Sequence, residues 1–249
     1  MRFSRRQSGL LAPEREFIPP GVCSIFYDNI RMGASAAAPK VPTFRDSATD
    51  VADATTYNGA LFQGLDIGAA AASRRVHCLV MGGALNRTVT AASSTIGGVT
   101  TTKVVEQVSS GLSYTVCLLV AAVPTGTTAD FSITWSAGQQ RCSIIWWTST
   151  GLAADAAHDF KSSTASPGVG TNLATLADGF AIAGSVNIET GADSVTWASV
   201  TERFDGGTGD PVLIMNVSGA DASTTGATIS PEVTYSASSS NQAMVAASW

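Results

Sequence analysis

Charge is the first thing this chain has little of. Only 13% of its 249 residues are charged, about half the usual ~25% share. Low charge beside a 45% hydrophobic content excludes a disordered chain, which has much charge and little to bury. Residues that favour helices (Glu, Lys, Gln, Leu) are sparse, which argues against a helical bundle. Histidine occurs twice, as His77 and His158. Four cysteines, at 23, 78, 117 and 142, form no C-x-x-C pair and have no histidine at metal-ligand spacing. Cys78, Cys117 and Cys142 each fall inside an apolar run, where a free thiol packs as a small hydrophobe. No stretch reaches the ~18 apolar residues of a membrane span. The opening MRFSRRQSGLLAPERE lacks the apolar core of a signal peptide, so the sequence predicts synthesis in a cytoplasm without the secretory route. Net charge is −5, and an acidic body excludes nucleic acid as the main partner, because that affinity comes from neutralising phosphates.

What is present is hydroxyl. The chain has 28 Thr and 29 Ser, with 24 Gly, a composition suited to strands and turns. Charge is unevenly placed: residues 1–46 carry +3 and residues 47–249 carry −8. The leading segment holds five of the nine prolines and the small-residue run Gly33–Ala38, so it reads as an extended arm and linker. Arg2, Phe3, Arg5, Arg6, Phe17, Ile18, Phe26 and Tyr27 give that arm a basic and apolar load suited to anchoring on a partner. From residue 47 onward the chain reads as a single β domain. Runs rich in β-branched and aromatic residues recur every 8–15 positions with Gly, Ser, Thr or Asp between them. Phe131–Ser136 alternates apolar and hydroxyl residues, as a half-buried strand does. Tyr114–Val120 is apolar almost throughout and reads as a central strand. Further strands are expected at 61–67, 76–82, 85–91, 99–106, 141–148, 179–187, 194–203, 211–217, 231–236 and 242–247. No helix and no repeat of 20–50 residues stands out. The fold class is therefore all-β: an antiparallel, jelly-roll-like sandwich with an extended N-terminal arm.

Chemistry-bearing constellations are thin. His77 and Cys78 are adjacent on one strand and so face opposite ways, which excludes a Cys–His pair between them. His158 has Asp159 beside it but no nucleophile motif. Glu106, Glu189, Glu202 and Glu232 are the glutamates of the β body, and a pair able to cleave glycosides would be set by the fold. Asp205–Asp210 is an acidic, glycine-rich loop without the oxygen ladder of a calcium site. No catalytic residue, metal or cofactor is expected. Trp146 and Trp147 are consecutive on a strand, so one indole faces away from the single core face of a sandwich. An arm, a neighbouring subunit, a loop or a sugar ring is expected to cover it, with Trp197 a further candidate for such a surface.

The order of motifs carries a resemblance: Leu61–Gly68, Arg74-Arg75-Val76, Thr95–Val99, Val123–Asp130, the tryptophan strand, Val195-Thr196-Trp197, Thr201-Glu202-Arg203 and a terminal Ala246–Trp249. In texture and order residues 58–249 resemble the small β-sandwich structural proteins of tailed bacteriophages and gene transfer agents. The resemblance implies a virion component, either a capsid decoration or head-fibre protein or a tail or tail-fibre subunit. Such a component is made in the host cytoplasm, contacts other virion subunits and assembles as a homo-oligomer such as a trimer. The alternative from the residues is a carbohydrate- or receptor-binding module facing a host-surface glycan through tryptophan. A glycan hydrolase ranks behind it.

Overall fold

The computed structural model describes residues 40–83, 87–111, 114–152, 154–164, 168–188, 194–207, 215–236 and 241–249. All belong to the unit Ala38–Trp249. Among them the only helical turns are two 3₁₀ segments, Ala60–Phe62 and Ala91–Ser93. Everything else that is regular is strand, and every strand pairing is antiparallel.

The strands follow one another as β1 (Thr43–Asp50), β2 (Ala54–Tyr57), β3 (Leu65–Asp66), β4 (Arg75–Gly83), β5 (Thr95–Ile96), β6 (Val99–Thr100), β7 (Thr102–Val108) and β8 (Tyr114–Ala122). Next come β9 (Thr128–Ala129), β10 (Phe131–Gln139), β11 (Cys142–Ser149), β12 (Asp159–Ser163), β13 (Gly168–Gly170) and β14 (Ala177–Ile188). The series ends with β15 (Val195–Ala198), β16 (Thr201–Gly207), β17 (Met215–Thr225), β18 (Glu232–Tyr235) and β19 (Gln242–Ser248). The predicted strands at 76–82, 131–136, 141–148, 179–187 and 242–247 fall on β4, β10, β11, β14 and β19. The expected strand at 61–67 is instead a 3₁₀ turn followed by the two residues of β3. In the expected strand at 85–91, Val89 makes a single bridge to Trp135. The sheet begins at Thr43, inside the segment assigned to the arm.

Four sheets stack face to face. In order they are β2-β10-β5-β6, then β1-β11-β4-β8-β7, then β12-β19-β14-β17-β16, then β13-β18-β15. Strand alternation turns successive side chains to opposite faces, so each inner sheet feeds two interiors. Val76, Cys78 and Val80 of β4 join Phe131, Ile133 and Trp135 of β10 in the first interior. Leu79 and Met81 of the same strand join Phe180, Ile182 and Val217 in the second. Ala181 and Ala183 of β14 meet Val233 and Tyr235 in the third. Strands buried on both faces read as continuous apolar runs, which is why β4, β8 and β11 lack alternation.

The two halves repeat one plan. In strands β1, β2, β4, β5, β7, β8, β10 and β11 the large sheet joins first, last, third, sixth and fifth, and the small sheet joins second, seventh and fourth. Strands β12 to β19 are joined in the same sequence of neighbours. The repeat surfaces in the residues as Ile133-Thr134-Trp135-Ser136 and, 100 positions later, Val233-Thr234-Tyr235-Ser236. The large sheets of the halves pack on each other, and two glycines bring them close. Gly184 and Gly219 are opposite partners on β14 and β17. A Cβ on Gly184 would sit 2.5 Å from Leu79, and one on Gly219 would sit 2.8 Å from Trp147.

Candidate functional site

Both members of the tryptophan pair are buried within the chain. Trp146 enters the first interior and donates its indole N–H to the Asp66 carbonyl at 2.8 Å. Trp147 enters the second and donates to the Asp221 carboxylate at 2.8 Å. The expectation of a single core face is therefore corrected: the second half of the same chain covers the outer indole. No arm, subunit or sugar is needed to cover it. Asp221 also accepts from Nε and Nη2 of Arg203, at 2.8 and 2.9 Å, so an exposed cation and a buried indole share one carboxylate. Trp197 is half-buried against the third interior, its N–H on the Ser218 hydroxyl at 2.7 Å. The arm residues Arg2, Phe3, Arg5, Arg6, Phe17, Ile18, Phe26 and Tyr27 lie outside the described residues.

The histidine and thiols are interior groups. His77 is fully buried, with Nε2 2.8 Å from the Ser149 hydroxyl and its ring edge-on to Trp249 at 4.5 Å and Phe180 at 5.3 Å. Burial, with Arg75 adding a like charge, lowers its pKa from 6.5 to about 3, so it is neutral at neutral pH. Cys78, Cys117 and Cys142 are free and buried in the first interior. Burial pushes all three thiols upward, away from the thiolate that nucleophilic chemistry needs.

The carboxylates are mostly structural ties. Glu106 accepts from the Val89 amide at 2.6 Å and from Lys103 at 2.7 Å. Asp205 accepts the Val195 amide at 3.1 Å and so joins β15 to β16. Glu202 is held above its ordinary value, first by partial burial and then by the Asp205 charge. Glu189 and residues 208–210 of the acidic loop lie outside the described residues. Among the described residues no three His, Cys, Asp or Glu side chains gather as a metal site, and no helix is long and apolar enough to cross a membrane.

Three places with open space are formed by described residues alone. The first, about 420 Å³, is lined by Asp53, Ala54, Thr55, Gly138, Gln139 and Gln140. Gln139 is buried there, its side-chain amide without a hydrogen bond. A second, about 240 Å³, lies between the start of β1, the end of β11 and the loop before β4, and Arg45, Arg74, Thr148 and Thr150 are among its walls. A third, about 230 Å³, is mainly apolar and includes Leu152, Leu176 and Trp249. Sequence reading missed the second place because Arg45 had been counted with the arm.

Arg74 is a buried cation held by backbone carbonyls. Its Nε donates to the Val123 carbonyl at 2.7 Å. Nη1 donates to the Gly68 and Ala69 carbonyls at 2.7 and 2.9 Å, and Nη2 to those of Thr125 and Gly126 at 2.6 and 2.9 Å. Burial first, and the neighbouring Arg45 second, lower its pKa. Gly68 has φ +71, a conformation that L side chains rarely adopt, and any Cβ there would collide with the Arg45 guanidinium.

No protein-family model, curated protein or solved structure matches the chain.

Proposed function

We propose that this chain is a structural subunit of a phage-like particle, anchored through its basic leading segment, with two tandem β-sandwiches as its durable exterior body. In this reading each half is a jelly roll, since an eight-stranded double Greek key places first beside last and third beside sixth. The subunit is a decoration, head-fibre or tail-fibre component, made without a secretory route and assembled as a homo-oligomer on other virion subunits. The supporting observation is where the side chains are spent. Trp135, Trp146, Trp147, Trp249, Cys78, Cys117, Cys142 and His77 go into sheet-to-sheet packing. Among the described residues only five large apolar side chains are exposed: Val41, Val51, Leu61, Phe160 and Leu176.

Light scattering on the full chain beside a chain lacking residues 1–39 tests the reading. That cut leaves β1 whole, which a cut after residue 46 would not. A defined oligomer that is lost on deletion is the expected result. A monomer in both cases overturns anchored assembly.

A saccharide-binding reading no longer has Trp146 and Trp147 as a platform. It rests instead on the unpartnered Gln139 amide beside Asp53 and Gln140 in the 420 Å³ pocket. Retardation on immobilised polysaccharide, lost in Gln139→Leu, would favour it.

A further inference from the structure

We infer that the 240 Å³ pocket beside β1 is a binding site for a phosphate group. Its walls include two arginines, Arg45 and Arg74, and the hydroxyl residues Thr43, Thr148, Ser149 and Thr150. Arg74 meets no carboxylate; its N–H groups are all taken up by backbone carbonyls. It therefore supplies positive potential from a buried position, where a charge is weakly screened, without donating to a ligand. Arg45 supplies the donors. Its Nε is fixed on the Thr148 hydroxyl at 2.8 Å, and its terminal nitrogens meet one carboxylate, that of Asp66, at 3.6 Å. Asp66 is 67% exposed and Arg45 24%, so this contact is a loose, solvated pair that an oxyanion can displace. Two cations face one carboxylate, within a body that is otherwise acidic. A guanidinium fork with hydroxyl donors alongside is the donor set that matches phosphate oxygens.

The second half of the chain acts as an internal control. Arg45 is the extra residue of a bulge: Phe44 pairs with Trp147 and Asp46 with Trp146, leaving Arg45 between them. Such an insertion re-aims a side chain. The corresponding strand β12 pairs with β19 from Asp159 to Ser163 without interruption. Val76 pairs with Thr148 and Ala181 with Ser248, so the counterpart of Arg74, two residues before Val76, is Gly179. The fold thus forms without the bulge and without the buried arginine, and the half that has both has the pocket with the arginine pair. At the matching end of the other half the pocket is lined by Leu152, Leu176, Trp249 and three alanines, with Lys40 and His158 beside them but no arginine. Arg45 and Arg74 are therefore additions to the shared plan, and they converge on one cavity.

The test is calorimetric titration of the full chain in chloride buffer with inorganic phosphate and, separately, with glycerol phosphate. The expected result is saturable binding at one site, weakened about tenfold or more in Arg45→Gln and tightened several-fold in Asp66→Asn, which removes the competing carboxylate. Binding of both probes identifies a phosphate ester as an acceptable ligand, and binding of inorganic phosphate alone restricts the site to the free ion. A general folding defect cannot produce tighter binding, so Asp66→Asn keeps the test sound if Arg45→Gln is unstable. No saturable heat from either probe, unchanged affinity in a folded Arg45→Gln, or no tightening in Asp66→Asn overturns the assignment.

Discussion

The buried histidine makes stability depend on pH in a direction opposite to that of a histidine with an acidic partner. His77 has a folded-state pKa of about 3 against 6.5. Above pH 6.5 it is neutral in both states and contributes nothing to the pH dependence. As pH falls below 6.5, the unfolded chain takes up a proton that the native chain refuses, and stability drops until the folded pKa is reached. At about pH 5 the unfolded imidazole is some 1.5 units below its midpoint, which costs about 2 kcal/mol. The slope below that is about 1.4 kcal/mol per pH unit. The groups facing the ring are Ser149, Phe180 and Trp249, with Arg75 the nearby charge named above; none of them titrates in this window. His77→Gln removes the titration and leaves every carboxylate in place. Urea unfolding followed by tryptophan fluorescence, at about pH 7.5 and about pH 5, should therefore show wild type losing about 2 kcal/mol more than the variant. Equal losses in the two proteins would refute the reasoning, because the imidazole would then be protonated in the native state.

Other perturbations follow from the same packing. Gly219→Ala or Gly184→Ala places a methyl against Trp147 or Leu79 and should cost about 1–3 kcal/mol in urea unfolding. Asp221→Ala strands the Trp147 N–H and the Arg203 guanidinium together, for a loss of about 2–4 kcal/mol. Arg203→Ala alone should lose less than that if the indole bond remains. Arg74→Met leaves the carbonyls of Gly68, Ala69, Val123, Thr125 and Gly126 without their donor, and a loss of about 3 kcal/mol or more is expected in thermal or urea unfolding. Ellman's reagent should leave Cys78, Cys117 and Cys142 unmodified in the native protein and titrate them on denaturation; rapid native labelling of more than one thiol would contradict their burial.

The sequence was most readable where a strand has a strong internal pattern. Phe131–Ser136 alternates, and Tyr114–Val120 and Cys142–Thr148 are apolar almost throughout, so β10, β8 and β11 were visible without tertiary information. The edge strands β12 and β1 were not. Asp159-Phe160-Lys161-Ser162-Ser163 has one paired neighbour and a polar face, and residues of this kind carry no pattern that separates strand from loop. Thr43–Asp50 was hidden for a related reason: its charges and the prolines before it matched a linker, and pairing with β11 alone makes it a strand. The repeat escaped because the halves share a strand order with little residue identity. Cys142–Thr148 and Gln242–Ser248 occupy the same place with different side chains.

Composition and periodicity by themselves determined that the chain is all-β and antiparallel, and that Cys78, Cys117, Cys142 and the longest apolar runs are interior. These properties are local: they depend on which residues alternate and which break the chain. Tertiary structure alone decided that β11 has two buried faces, that Asp221 is the acceptor for Trp147, and that Arg45 and Arg74 share a cavity. Each of those joins residues 29 to 74 positions apart in the chain or on different sheets. The relation between them is set by the stacking of the two halves and by one inserted residue in β1, neither of which leaves a periodic trace in the sequence.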